Sequence, residues 1–177
     1  MSVRDMVARN SPKTVRDFIP TPPFATRALY VHLLQREGVD PVSLTAWDPA
    51  AGHGHMSRVM TEMGHREVVA TDLYPSVING VGQGDFLKPA SYYKAGLIIT
   101  NPPYKHLQEF IQLSLDRAER GVALLIRVQG LEGMRRYNAV YKHRPPSVVG
   151  LFSDRIPFKT GAVVKKAPKM FFHCWVW

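Results

Sequence analysis

The chain has one cysteine, Cys174, among its 177 residues. A single thiol excludes an internal disulfide and any cysteine-rich zinc centre. Long hydrophobic runs are missing too. The longest, such as Val122-Ala-Leu-Leu-Ile126, fall far short of the length that crosses a bilayer. Acidic residues are scarce, 14 Asp and Glu against 23 Lys and Arg, which leaves a formal net charge of +9. The opening MSVRDMVARNSPKTVRD is polar and charged, unlike a secretory signal, so the expected compartment is the cytoplasm, with no membrane partner. What is present is ordinary for a globular protein. Hydrophobic residues make up 45% and charged residues 21%, and the length suits one sizeable core better than two domains.

The positive excess is unevenly placed. Residues 1–104 carry 10 Lys and Arg against 9 Asp and Glu, whereas residues 105–177 carry 13 against 5. A polyanion partner accounts for this, because each neutralised phosphate releases counterions. A solvated surface accounts for it equally well.

Residues 1–19 lack periodicity and read as an N-terminal basic arm. Thr21-Pro22-Pro23 then predicts a helix start, a hydroxyl N-cap with proline at the first helical position. Phe24, Ala28, Leu29, Val31, Leu33 and Leu34 supply its apolar face, and Gly38 closes it. Strands are expected at 44–47, 67–71, around 82–86, at 96–100, 121–126, 147–152 and 170–177. Helices are expected at about 55–63, 105–120 and 131–142, and a basic connecting loop at 159–169. Alternating strands and helices predict an α/β protein with a mostly parallel sheet covered on both faces.

The motifs gather at predicted strand ends. Asp48-Pro-Ala-Ala-Gly52-His-Gly54 lies between a strand and a helix, where glycines let a ligand approach the backbone at the helix start. Asp72 ends the next strand, 20 residues after Gly52, and suits the two hydroxyls of a ribose. Those features fit a nicotinamide cofactor or S-adenosylmethionine alike. The third glycine of a dinucleotide fingerprint is missing, its place held by Ser57. Gly84-Asp85-Phe86 adds a carboxylate for an adenine amino group and a ring to stack on it. Asn101-Pro102-Pro103-Tyr104 follows the apolar run Gly96–Thr100 and breaks the tie. An amide oxygen, a neighbouring carbonyl and an aromatic ring suit a flat molecule bearing an NH2 group.

This ordered set, Thr21-Pro22, Asp48…Gly54, Asp72, Asp85-Phe86 and Asn101…Tyr104, resembles the class I S-adenosylmethionine-dependent methyltransferases of the amino-methylating branch. Adenine-specific DNA methyltransferases are its best-known members. The stretches Arg127…Leu131-Glu132-Gly133…Arg136-Tyr137 and Phe152-Ser153-Asp154-Arg155 resemble small methyltransferase-like proteins carried by phages and prophages. The resemblance implies a Rossmann-like class I methyltransferase fold, a seven-stranded sheet with helices on both faces, in a single domain over residues 20–177. It implies S-adenosylmethionine as cofactor and methyl transfer to an exocyclic amino nitrogen, adenine in DNA or RNA first.

By the same resemblance, Thr21 and Pro22 lie against the methionine carboxylate, and Asp48, Pro49, Ala50, Gly52 and Gly54 wrap the methionine portion. Asp72 with Leu73 holds the ribose, Asp85 the adenine amino group, and Phe86 the adenine face. Asn101 and the Pro102 carbonyl accept the hydrogens of the target nitrogen, with Pro103 closing the turn and Tyr104 stacking on the base. Arg127, Arg136 and Arg155 are candidates for phosphate. Two rival readings stay open, methylation of a glutamine amide in protein and a non-catalytic binding module that keeps the fold.

No separate target-recognition domain is expected, since only 76 residues follow Asn101. Recognition then falls to the basic segments 128–146 and 154–169, on single strands, on structured RNA, or with a protein partner; a base in a duplex would have to be flipped out. His53 and His55 are read as loop residues rather than metal ligands, and no metal is expected. Cys174 is read as a small buried hydrophobe rather than a nucleophile.

Overall fold

Alternation of apolar side chains decides where the strands fall. In Ala95–Thr100 all six residues are buried, Leu97 and Ile99 against one cluster and Ile98 against another. Ala118–Arg127 repeats the pattern, with Ala123 and Leu125 on the first side and Val122, Leu124 and Ile126 on the opposite one. Strands buried on both faces belong in the middle of a covered parallel sheet.

The computed structural model describes residues 19–74, 80–88, 93–159, 162–163 and 171–177. Its strands are β1 (Thr45–Asp48), β2 (Glu67–Asp72), β3 (Gly82–Gln83), β4 (Ala95–Thr100), β5 (Ala118–Arg127), β6 (Val149–Leu151), β7 (Phe158–Lys159), β8 (Ala162–Val163) and β9 (His173–Val176). Seven of them form one sheet in the order β3-β2-β1-β4-β5-β9-β6. Neighbours from β3 to β5 are parallel, and β9 runs antiparallel between β5 and β6. Strands β7 and β8 pair as a small separate hairpin. The strand order reverses direction between β1 and β4, and a sheet of this kind opens a ligand crevice at the carboxyl ends of those strands. The predicted arm falls almost wholly outside the described residues, as does most of the predicted loop at 159–169; within that loop, residues 159 and 162–163 belong to the hairpin.

One face of the sheet is covered by α1 (Pro23–Leu29) and α2 (His55–Glu62), whose Ala25, Leu29, Met56 and Met60 share a core with Leu97, Leu125 and Trp175. The other is covered by α3 (Leu107–Arg117) and the segment around Val140. Gly96 is required where β4 meets β1, since a Cβ there would sit 3.0 Å from the Thr45 carbonyl. The amide of Gly96 donates instead to Thr45 Oγ1 at 2.8 Å.

Several expected boundaries move. The N-cap of α1 is Pro22, with Pro23 in the first turn, and the Thr21 hydroxyl makes no cap bond. Beyond Leu29 the helix widens over Tyr30–Leu34, so that Tyr30, Leu33 and Leu34 all reach the core. The helix predicted to reach residue 120 stops at Arg117, because residues 118–120 already belong to β5. Arg117 is buried there, its guanidinium donating to the carbonyls of Phe86 and Lys88. The helix predicted over 131–142 is interrupted. A short turn at Val128–Leu131 is followed by Gly133 at φ +104°, then α4 (Met134–Arg136) and a widened turn at Tyr137–Tyr141.

Trp175 ties first and last layers together, its indole N–H donating to the Ala25 carbonyl at 2.7 Å inside the core. Trp175→Phe should lose that bond and leave a hollow, costing about 2–3 kcal/mol in chemical denaturation. An unchanged denaturation midpoint would contradict this account of the core.

Candidate active site

The site begins where β1 stops. Asp48 is 1% exposed, and its Oδ1 accepts from Thr100 Oγ1 at 2.7 Å and from the Ala50 amide at 3.3 Å. Thr100 ends β4, so this one bond joins the two strand tips that bound the crevice. Burial pushes the Asp48 carboxyl up to about 7; its hydrogen bonds oppose the rise and the nearby Asp72 charge adds to it.

The chain then curls through a tight loop into α2. Gly52 has φ +54° and Gly54 φ +69°, the left-handed region that glycine enters without strain. A Cβ on Gly54 would also meet Ser57 Oγ at 3.1 Å and Val81 at 3.3 Å. Pro49 is buried beneath the loop. Asp72, at the tip of β2, holds the loop from the side. Its Oδ2 accepts the Gly52 amide at 2.8 Å and its Oδ1 the Tyr74 amide at 3.0 Å. A carboxylate fixed by two amides remains half-exposed, with lone pairs to spare for hydroxyls. Leu73 beside it is exposed. Asp85, half-buried, accepts the Leu87 amide at 3.0 Å.

On the other side of the crevice stands Asn101. Its Nδ2 donates to Thr21 Oγ1 at 3.1 Å, and Thr21 is 5% exposed beneath Pro22. The amide is thereby oriented, and Oδ1 is the atom left to accept. Tyr104, two prolines later, donates its hydroxyl to His173 Nε2 at 2.9 Å. The direction follows from the other ring nitrogen, since His173 Nδ1 donates to the Phe171 carbonyl at 3.1 Å. Burial, helped by the nearby Arg127 cation, lowers the His173 pKa to about 4, so the ring is neutral at pH 7. The Arg127 guanidinium lies flat between two rings, 3.9 Å from the Tyr104 centroid and 3.8 Å from that of Phe171.

The expected residues therefore divide. Gly52 is bonded to Asp72 and Thr21 to Asn101, Asp48 is tied to Thr100 at the neighbouring strand tip, and Arg127 covers the ring of Tyr104. Phe86 departs from expectation. It is 3% exposed, edge-on to Trp47 and against Phe110, with the Arg117 guanidinium over it. More apolar area is buried this way than a stacking platform would allow. Arg136 also departs. Its guanidinium donates to the carbonyls of Gly130 and Glu132, both at 2.8 Å, and braces the turn after β5 instead of facing phosphate. Arg155 lies 4.4 Å over the ring of Phe172. Thr100, Phe171 and His173 join the candidate site without having been singled out; the pairing of β9 with β5 brings in His173, and Phe171 comes with it under the Arg127 guanidinium. Cys174 is fully buried, its thiol pushed up to about 11 by burial. Among the described residues no group of three or more His, Cys, Asp or Glu is placed to hold a metal ion.

No protein-family model matches the sequence, and no curated protein matches it. Solved structures do match in fold. A candidate RNA methyltransferase from Pyrococcus horikoshii superposes with a TM-score of 0.67 at 15% identity, over 99% of this chain and 96% of that one. A candidate class I S-adenosylmethionine-dependent methyltransferase from Listeria monocytogenes gives 0.60 at 11% identity, over 96% of this chain and 62% of that one. The M protein of the type I restriction enzyme EcoKI gives 0.51 at 15% identity, over 76% and 39%. The chain has the class I methyltransferase fold, as expected from its strand-end motifs.

The Asp48 carboxyl gives a pH-dependent test. Its pKa in the folded chain is raised above the unfolded value of 3.8, so its contribution is fully present below about pH 4 and lost as pH rises toward 7. Asp48→Asn cannot ionise and should gain stability over wild type at pH 8, by roughly 5 °C in melting temperature, less at pH 5 and little below about pH 4. His173 titrates in the opposite sense in both proteins and cancels in the comparison. Parallel melting curves across this range would refute a strained buried carboxylate.

Proposed function

We propose that the chain is an S-adenosylmethionine-dependent methyltransferase that modifies an exocyclic amino nitrogen, adenine of DNA or RNA being the favoured target. The observation that carries this reading is the orientation of Asn101. With Nδ2 committed to a buried threonine, Oδ1 is the atom left to accept just past the tip of β4, and the Pro102 carbonyl follows it in sequence. Two such acceptors suit the two hydrogens of an NH2 group.

The cofactor side fits by its own chemistry. A loop bent by two left-handed glycines brings backbone close to a ligand, and an anchored carboxylate at the tip of β2 suits a ribose. In this reading residues 48–54 enclose the methionine portion, Asp72 takes the ribose hydroxyls and Asp85 the adenine amino group. When bound, S-adenosylmethionine supplies an electrophilic methyl group on a cationic sulfur. Asn101 Oδ1 and the Pro102 carbonyl would hold the amino hydrogens and turn the nitrogen lone pair out of conjugation, ready to accept the methyl group, and the surplus proton would pass to solvent. Orientation and proximity supply most of the rate, so no general base is needed. Tyr104, held by His173 and with Arg127 over its ring, walls the target pocket. The excess of positive charge after Tyr104 favours nucleic acid over protein as substrate.

Methyl-labelled cofactor incubated with separate pools of DNA, RNA and protein tests the reading. Label should enter adenine of a nucleic-acid pool, and Asn101→Ala should reduce transfer about 100-fold or more while cofactor affinity by calorimetry stays unchanged. Label in protein glutamine would transfer the reading to an amide substrate, and absence of cofactor binding would reduce the chain to a binding module. Asp72→Ala should weaken cofactor affinity about tenfold or more.

Thr21 separates two roles. If it orients Asn101, Thr21→Val lowers kcat with little change in cofactor affinity, and Thr21→Ser restores it. If it holds the cofactor carboxylate instead, affinity falls with the Val variant.

A further inference from the structure

Phe172 lies one residue ahead of β9 and continues its ladder, since the Val128 amide donates to the Phe172 carbonyl at 3.0 Å. The ring therefore stands at the carboxyl edge of β5, next in sequence to Phe171 and His173 of the candidate site. It is 47% exposed, and Arg155 lies 4.4 Å over it. The same chemistry recurs at the neighbouring position, where Arg127 covers both Tyr104 and Phe171. Guanidinium-on-ring stacks thus occur at two consecutive residues, Phe171 and Phe172, just ahead of β9. Met134 and Tyr137, on the segment that leaves this edge, are exposed apolar residues beside Arg135.

A half-exposed phenylalanine leaves apolar area in water that a partner could cover. A surface stack of arginine on phenylalanine contributes little by itself. The arrangement gains more if something flat and anionic completes it. A nucleotide is such a partner, because its base stacks on a ring and its phosphate meets a guanidinium. The second half of the chain carries the charge that a backbone of phosphates requires.

We propose that Phe172, capped by Arg155, is a second base platform that seats an unpaired nucleotide next to the target base, so that the substrate is a single strand or a looped-out segment. This rests on the reading of the site as a nucleic-acid amino methyltransferase. Within a duplex, a base has its faces covered by its neighbours. Filling both the target pocket and this platform would require two nucleotides to unstack, whereas an unpaired strand avoids that cost.

The test uses the full chain and short fluorescein-labelled oligonucleotides, single-stranded DNA and RNA and duplexes of the same sequence, read by anisotropy at several salt concentrations. Single strands should bind more tightly than duplexes, with affinity falling as salt rises. Phe172→Ala should weaken single-strand binding about tenfold or more, and Phe172→Trp should preserve it. Arg155→Ala should weaken it less, and its effect should not add fully to that of Phe172→Ala, since the two side chains act as one platform. Cofactor affinity, measured on each variant, reports that the fold is intact. The platform is overturned if single strands bind Phe172→Ala as tightly as wild type, if Phe172→Leu restores binding as well as Phe172→Trp, or if duplexes bind as tightly as single strands. If cofactor binds and no oligonucleotide does, the nucleic-acid reading falls and takes the platform with it. Single-strand binding that ignores Phe172 removes the platform alone.

Discussion

The bond between Thr100 and Asp48 is the constraint on which the rest of the site depends. It joins the tips of two neighbouring strands at the point where the strand order turns back. A carboxyl this deeply buried is costly to ionise, and the crevice accepts that cost. In return, the glycine loop that follows Asp48 and the Asn101 turn that follows Thr100 start from fixed positions relative to one another. A ligand spanning the two meets walls that are already in place, and little ordering is left for the moment of binding.

Each reactive-looking side chain is also held from far along the chain. Thr21 orients Asn101 across 80 residues, and His173 holds Tyr104 across 69. The first partner comes from just ahead of α1 and the second from the antiparallel strand inserted beside β5. The candidate site is therefore tied together by the first and last described parts of the fold. Trp175 makes the connection mutual by tying β9 back to α1.

Much of this was legible in the sequence, and the limits have physical causes. Buried strands such as Leu97-Ile-Ile99 announce themselves through apolar runs, and the loop from Asp48 to Gly54 through its glycines. Asp72 and Asn101 drew notice because a polar residue at the end of an apolar strand has few structural reasons to be there, and Asp72 does end β2 while Asn101 directly follows β4. Phe86 misled because a ring beside a carboxylate looks the same whether it faces a ligand or Trp47. Arg136 misled because a guanidinium that satisfies backbone carbonyls cannot be told from a solvated one by composition. The role of His173 required knowing that it pairs opposite Arg127. No local pattern encodes a pairing between residues 46 apart. A helix end slipped at Arg117, and the first helix widened at Tyr30, because the core's demands outweighed local periodicity.

The sheet is widest in its strands at the centre and nearly vanishes at its margins. Its outermost members are β3, two residues long, and β6, three residues long. A long bare margin offers unpaired amides and carbonyls to any other chain, and so invites stacking into fibres. Here the margins are too short to template a neighbour, even though Leu151 on one of them is 68% exposed. Among the described residues, brevity at the margins is thus what denies a second chain a strand to pair with.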